Sequence, residues 1–281
     1  MATAEPSTLS GGETKKPPTV TSLRDLTIIE AWDWETNKPK YTTFYLVTDD
    51  EELWFGESPK NKREITIEEY NSLLYRVRDN EIYPEIPKDV KITIAPDVLR
   101  GGDSVFVKRP GLVSYEAMRG TDYISNALLS ETLTMEEISK TPHPGIVGYY
   151  GCRVRKGRIT AILLERLGQT LTQYESTPNR EPLDKEKFLE AFESTVDYLH
   201  SLGLAHNDIN PDNIMIKDGM PVLIDFGGCQ PFGKRVTSNG TEGWREELFF
   251  TSEKKHDIYA LGKLREWFQS FGNIRHTDLQ M

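Results

Sequence analysis

The residues best equipped for chemistry in this sequence lie between positions 206 and 227. His206-Asn207-Asp208-Ile209-Asn210-Pro211-Asp212-Asn213 sets an aspartate and an asparagine five positions apart, and Ile224-Asp225-Phe226-Gly227 begins shortly after it. A carboxylate in such a loop can orient a hydroxyl and accept its proton, while Asp and Asn oxygens are hard ligands of the kind Mg²⁺ takes. Those are the demands of phosphoryl transfer, which asks a protein for positioning and charge stabilisation rather than covalent chemistry. Between the two motifs, Ile214-Met215-Ile216 and Val222-Leu223-Ile224 flank Lys217-Asp218-Gly219-Met220-Pro221. This reads as two short strands and a turn, which would return Asp225 to the loop.

Other elements must hold that loop in place. Glu186 to Leu202 has Phe188, Leu189, Phe192, Val196 and Leu199 at helical spacing, and Gly203 is the expected stop. Short strands are expected at Ile92–Ile94, Ser104–Lys108, Ile146–Tyr150 and Thr160–Leu164, with a helix from about Ile124 to Lys140 among them. Leu26 to Val47 suggests two strands about a turn at Glu35-Thr36-Asn37-Lys38-Pro39, with Trp32, Trp34, Phe44 and Tyr45 supplying apolar faces. Ile65 to Val77 looks helical, with Tyr70, Leu73, Leu74 and Val77 on one side, and Tyr83-Pro84-Glu85-Ile86-Pro87 reads as an extended connection. Residues 257–271 form another candidate helix. Residues 1–20, rich in Pro, Thr, Ser, Gly and Lys, are expected to be a disordered tail.

A chain of 281 residues can build one two-lobed domain or two modest ones. Its net charge of −10 argues against a dominant nucleic-acid function, which needs a basic face. Apolar runs such as Ala161-Ile162-Leu163-Leu164 are far shorter than the ~20 residues that cross a bilayer, and MATAEPSTLSGGETKKPPTV has no signal-type apolar core. No membrane partner is expected. Cys152 and Cys229 form neither a CxxC nor a Cys/His cluster, so a reducing compartment, cytoplasmic or nuclear, and no structural zinc are expected.

The H-x-D-x-x-x-x-N and D-F-G strings, in this order, resemble the protein kinase superfamily. The resemblance implies that Asp208 is the catalytic base, Asn213 a Mg²⁺ ligand, Asp225 the Mg²⁺ ligand facing the phosphates, and His206 a brace. Val105-Phe106-Val107-Lys108 is similar to the strand whose lysine holds the α- and β-phosphates; alone, such a lysine would be a surface charge. Its implied partner is Glu131, which shares a helix face with Met135 and Ile138 and precedes His143-Pro144-Gly145-Ile146-Val147. Glu136 and Glu137 are rivals that read as solvated. Leu164-Glu165-Arg166-Leu167 falls where the adenine-binding hinge belongs, with Leu164 as gatekeeper and Glu165 and Leu167 as nucleotide contacts. Gly240-Thr241-Glu242-Gly243-Trp244 resembles the end of an activation segment. Asp257-Ile258-Tyr259-Ala260-Leu261-Gly262 looks like the helix whose Asp anchors the catalytic loop, though an ordinary helix-start carboxylate is an equal reading. More narrowly, I-Y-P-E-I-P, V-K-R-P, H-P-G-I-V-G-Y-Y-G-C and H-N-D-I-N-P look like a group of fungal protein-kinase-like proteins.

The resemblance covers about residues 91–270. It implies an α+β, bilobal protein-kinase-like fold: a small antiparallel β-sheet lobe over 91–167 and a mainly helical, shortened C-terminal lobe over 168–281. An extension of a strand pair plus helix occupies 21–90. ATP and Mg²⁺ would lie between the lobes, and the acceptor would be Ser or Thr of a protein or peptide. The H-N-D loop also suggests a small-molecule kinase of choline or aminoglycoside type. A pseudokinase scaffold is suggested by the lack of G-x-G-x-x-G before Lys108, where Gly101 and Gly102 are the nearby glycines. Asn207 stands where many kinases carry arginine, so switching by activation-loop phosphorylation is not expected. Asn210 stands where serine/threonine kinases place a lysine near the transferred phosphate, which removes a cation from the developing charge.

Overall fold

The computed structural model describes residues 16–33, 35–99, 102–113 and 115–270. The chain divides into two compact units, Met1–Asp79 and Asn80–Met281. Among the described residues no helix is long and apolar enough to cross a membrane.

The first unit is an antiparallel sheet in the order β1 (Thr27–Asp33), β2 (Lys38–Val47), β3 (Leu53–Ser58) and β4 (Tyr75–Arg76), with helix α1 (Ile67–Leu73). Phe44, Trp54, Ile65, Tyr70 and Leu74 form its core with Val20 and Leu26. Val20 is only 2% exposed, and Asn71 takes its N–H at 2.8 Å and donates to its carbonyl at 2.9 Å. Residues 16–20 of the expected tail are thus described and Val20 is packed; residues 1–15, and Trp34, lie outside the described residues. Thr66 caps α1 reciprocally with Glu69, 3.2 Å from hydroxyl to Glu69 N–H and 3.0 Å from carboxylate to Thr66 N–H. The helix ends at Leu73 rather than Val77, because Leu74 turns extended and Tyr75–Arg76 pair with β3.

The second unit carries the bilobal architecture. After α2 (Asp79–Ile82), its sheet has the antiparallel order β5 (Val105–Lys108), β7 (Arg158–Glu165), β6 (Tyr149–Arg155). Short helix α3 (Tyr115–Met118) and long helix α4 (Tyr123–Ser139) lie between β5 and β6 in sequence. In α4, Ile124, Leu128, Glu131, Met135 and Ile138 are buried at the spacing of one helical face. Glu131 is therefore aimed inward by the same periodicity that buries its apolar neighbours. The expected strand Ile92–Ile94 reduces to a single parallel bridge from Ile94 to Cys152.

The other lobe is led by α5 (Leu171–Glu175) and α6 (Lys185–Ser201), the latter capped by the Asp184 carboxylate on the Lys187 N–H at 3.1 Å. It stops at Gly203, whose φ of +77° suits glycine. Then come β8 (Leu204–Ala205), β9 (Ile214–Lys217), β10 (Met220–Leu223), β11 (Gln230–Pro231) and α7 (Lys254–Ser270). The β9–β10 turn places Asp218 and Gly219 at φ +52° and +75°, the left-handed pair a tight hairpin needs.

Candidate active site

Pairing of β8 with β11 brings the two ends of the chemical segment together, and the Ile224 N–H bonds the Asn213 carbonyl at 2.9 Å. Asp225 is thereby set beside the loop 206–213. Within that loop His206 is fully buried, with Nε2 3.0 Å from the Ile224 carbonyl and Nδ1 accepting the Asp208 N–H at 3.3 Å. Its ring meets Phe226 edge-on, at a centroid distance of 5.2 Å. These contacts are those of a brace.

Asp257, at the start of α7, is 0% exposed. Its Oδ2 accepts from the His206 N–H at 2.9 Å and lies 2.8 Å from His200 Nε2, while its Oδ1 accepts the Asn207 N–H at 2.8 Å. Of the two readings the sequence left open, the geometry selects the anchor.

Asp208 gathers donors on both carboxylate oxygens. Oδ1 accepts from the Thr241 N–H (2.8 Å), the Thr241 hydroxyl (2.7 Å) and Asn210 Nδ2 (3.1 Å); Oδ2 accepts from Asn213 Nδ2 (3.2 Å). Asn210 also caps the single turn Pro211–Asn213, accepting the Asp212 N–H at 3.0 Å. In the sequence Thr241 stands only as one residue of the segment Gly240–Trp244. Its contact with Asp208 crosses 33 positions, so no local signal announced it. Gly240 makes the approach possible: its φ is +67°, and a Cβ there would stand 2.7 Å from the Asn207 carbonyl.

A second cluster joins the small lobe to Asp225. Lys108 Nζ donates to Glu131 Oε1 and, at 2.7 Å, to Asp225 Oδ1. Burial alone would lower the Lys108 pKa, but the Glu131 and Asp225 carboxylates outweigh it and hold the ammonium above the usual lysine value. Glu131 is driven upward by burial and by Asp225, with Lys108 pulling the other way. Asp225 is a half-exposed side chain; burial opposes its ionisation, but the Lys108 charge and hydrogen bond bring its carboxyl below the ordinary range. One cation thus serves two carboxylates, and negative charge at Asp225 is left over for a further cation.

The rivals of Glu131 are engaged elsewhere. Glu137 pairs with Lys140 at 2.5 Å. Glu136, expected to be solvated, instead accepts from the Thr93 N–H (2.7 Å), the Thr93 hydroxyl (2.9 Å) and the Tyr149 hydroxyl (2.6 Å). It fastens residues 93–95 against α4 beside β6, a role hidden from sequence by a separation of 43 positions. At the end of β7, Leu164 is buried and Leu167 half-buried; the Glu165 N–H donates to the Gly148 carbonyl at 2.8 Å, and its carboxylate pairs with Lys217 at 2.6 Å.

A protein kinase domain model matches residues 112–264, more than half of the sequence. The chain belongs to the protein kinase family. A serine/threonine-protein kinase/endoribonuclease IRE1 from Hypocrea jecorina is 28% identical over 181 residues, covering 57% of this chain and 14% of the relative. Human serine/threonine-protein kinase/endoribonuclease IRE2 is 35% identical over 117 residues, covering 36% and 12%. A probable serine/threonine-protein kinase, FPV226 of fowlpox virus, is 29% identical over 167 residues, covering 53% and 56%. This kinase-family chain therefore spans less than two thirds of the length of each of these relatives.

Two departures of the kinase sequence acquire a structural meaning. Asn207, at φ +65°, uses Nδ2 to reach the Ala205 carbonyl (2.9 Å), the Gly228 carbonyl (3.0 Å) and the Ser252 hydroxyl (3.0 Å), tying the loop, the D-F-G turn and the residues just before α7 together. On the far side of β5 from β7, no strand pairs among the described residues. The strand carrying Lys108 is thus a sheet edge; Gly101 lies outside the described residues.

Proposed function

We propose that this chain is an ATP-dependent protein kinase that transfers the γ-phosphoryl group to a serine or threonine hydroxyl of a protein or peptide. The observation that carries the reading is the convergence of Lys108, Glu131 and Asp225 in one ion cluster, beside a loop that presents Asp208 and Asn213. Lys108, held charged, is suited to the α- and β-phosphates, with Glu131 fixing its direction. Glu165 and Leu167 lie on the segment leaving β7, where the adenine would be held.

The donor set fits a hard divalent cation such as Mg²⁺. Asp225 has a carboxylate oxygen beyond its Lys108 contact, and Asn213 spends its Nδ2 on Asp208, leaving Oδ1 to ligate. Among the described residues no three His, Cys, Asp or Glu side chains form a metal site by themselves. When bound, the ion would neutralise charge on the phosphates.

Asp208 is suited to receive the acceptor proton. The Thr241 hydroxyl donates to its Oδ1 at 2.7 Å, and an incoming acceptor hydroxyl would make the same kind of contact. The acceptor oxygen bonds to the γ-phosphorus as the bond to the bridging oxygen breaks. ADP leaves with that electron pair, and the acceptor proton passes to Asp208.

A second reading, a pseudokinase that binds without transferring, draws on the unpaired edge of β5 and on Asn210 in place of a cation. Thermal shift with ATP, with and without Mg²⁺, separates the two when combined with a transfer assay. The kinase reading expects a Mg²⁺-dependent rise in melting temperature that Lys108→Met loses, and transfer that Asp208→Asn abolishes. Full turnover by Asp208→Asn would remove Asp208 as the base.

A further inference from the structure

Strand β5 has two faces of opposite character. Val105 and Val107 pack with Ala95, Ala161 and Leu163 in an apolar cluster, so strand alternation puts Phe106 and Lys108 on the other face. There Phe106 lies directly across from Leu164, and Lys108 across from Ile162. The Lys108 ammonium reaches Glu131 and Asp225, which makes this the face turned to the candidate active site. Leu164 and Ile162 are buried on it, but Phe106 remains 46% exposed, and its ring meets no other ring among the described residues.

An isolated apolar side chain on an outer surface calls for no explanation. This one stands on an inner face, and it departs from the family string. Protein kinases carry V-A-I-K where this chain has Val105-Phe106-Val107-Lys108, so a phenyl ring is added at a position that otherwise holds a methyl group. The ring's place follows from the register. Residues two apart on a strand are separated by about 7 Å, and Phe106 lies on the side of Lys108 nearer to Ser104. On that side the segment leaving β7 is fastened to β5: the Arg166 N–H donates to the Ser104 carbonyl at 2.9 Å and Arg166 Nη2 to the Val105 carbonyl at 2.8 Å. A nucleotide with its phosphates at Lys108 and its base at this segment therefore brings the base against the Phe106 ring.

We propose that Phe106 stacks on the nucleobase and supplies most of the affinity that depends on the base. This rests on the ATP-dependent kinase reading above and adds to it a residue and a type of contact. Every base has a π-face, so a ring that stacks grips adenine and guanine alike and leaves discrimination to contacts at the base edge. Phe106 makes and breaks no bond in phosphoryl transfer.

The test uses the full chain with Mg²⁺ and three probes: ATP, GTP and inorganic tripolyphosphate, which has no base. Isothermal titration calorimetry reads binding, and transfer to a mixed serine/threonine peptide library reads activity. Phe106→Ala is expected to weaken ATP and GTP by the same factor, on the order of tenfold, and to leave tripolyphosphate unchanged. Phe106→Leu, closer in bulk but without a ring, separates stacking from apolar contact and is expected to lose nearly as much; melting curves check the fold of both. Phe106→Trp is expected to keep nucleotide affinity, and its added fluorescence to be quenched by ATP but not by tripolyphosphate. Unchanged ATP affinity in Phe106→Ala would overturn the inference, and so would tighter binding, which would make the ring an obstruction; both leave the kinase reading standing. Base-dependent binding that Phe106→Ala loses, without transfer by the wild type, would keep the inference and overturn the kinase reading. Failure of the wild type to bind any of the three probes would overturn both.

Discussion

Replacing Asp257 by asparagine tests the anchoring of the catalytic loop with a change of one atom and one charge. The carboxylate is fully buried and receives the His206 N–H, the Asn207 N–H and the His200 ring at 2.8 to 2.9 Å. An amide keeps a single acceptor oxygen. In either orientation its NH₂ faces a backbone N–H, of Asn207 or of His206. A hydrogen bond to a charged group contributes ~1.5–3 kcal/mol, and a buried donor left unpaired costs ~1–3 kcal/mol, so the expected loss is about 3–5 kcal/mol. For a unit of about 200 residues, at ~2–4 °C per kcal/mol, that is a fall in melting temperature on the order of 10 °C. Calorimetry and urea unfolding read the stability, and phosphoryl transfer at a temperature where the variant remains folded reads the loop. His200→Ala removes one donor and leaves both backbone contacts, so about 1–2 kcal/mol is expected there. A loss below 1 kcal/mol in Asp257→Asn would refute the reasoning and reduce Asp257 to a helix-start carboxylate.

Other expectations follow from the ion cluster and its surroundings. Lys108→Met leaves the Glu131 and Asp225 carboxylates without their shared cation and should cost about 1–3 kcal/mol, less than a fully buried pair because Lys108 is partly exposed and Glu131 can take up a proton. The sign with pH is set by Asp225, whose lowered folded pKa makes its contribution complete above the ordinary carboxylate range and lost as the pH falls through the folded value. Glu131, raised, behaves oppositely, and more so in the variant, so the stability gap between wild type and Lys108→Met should be wider at pH 7 than at pH 3; a gap widening in acid would contradict the ion pair. Gly240→Ala, at a positive φ and 2.7 Å from the Asn207 carbonyl, should lose about 1–3 kcal/mol and most transfer activity, measured by urea unfolding and turnover. Cys152 is buried and its thiol is pushed up to about 12, chiefly by burial, so maleimide labelling at pH 7 should be slow in the native protein and rapid in urea.

The sequence exposed the parts of the site whose chemistry is fixed by residue type within a short span. H-N-D-I-N-P-D-N and I-D-F-G announced the loop and turn, and the helical spacing around Glu131 announced which glutamate faces inward. Periodicity also found α4, α6 and the β9–β10 hairpin to within a residue or two. It missed β3, because Leu53-Trp54-Phe55-Gly56 is a continuous run, mostly buried, rather than an alternating one. Contacts made across long separations were equally hidden. Glu136 looked like a solvated helix charge because Thr93 and Tyr149 are brought to it only by the fold, and the grip of Thr241 on Asp208 depends on how the activation segment returns. Asp257 could be placed on either of two readings until its partners were known.

Asn207 has a consequence for how such a protein can be controlled. Its three contacts, to two carbonyls and a hydroxyl, are all with uncharged groups, and all lie in buried or partly buried surroundings. An arginine there would present a formal charge for a phosphate to capture, so the fastening would depend on ionic strength and on modification. An amide gives no such handle. The fastening behaves as a rivet rather than a latch: it contains no charge for salt to screen or for a phosphate to capture.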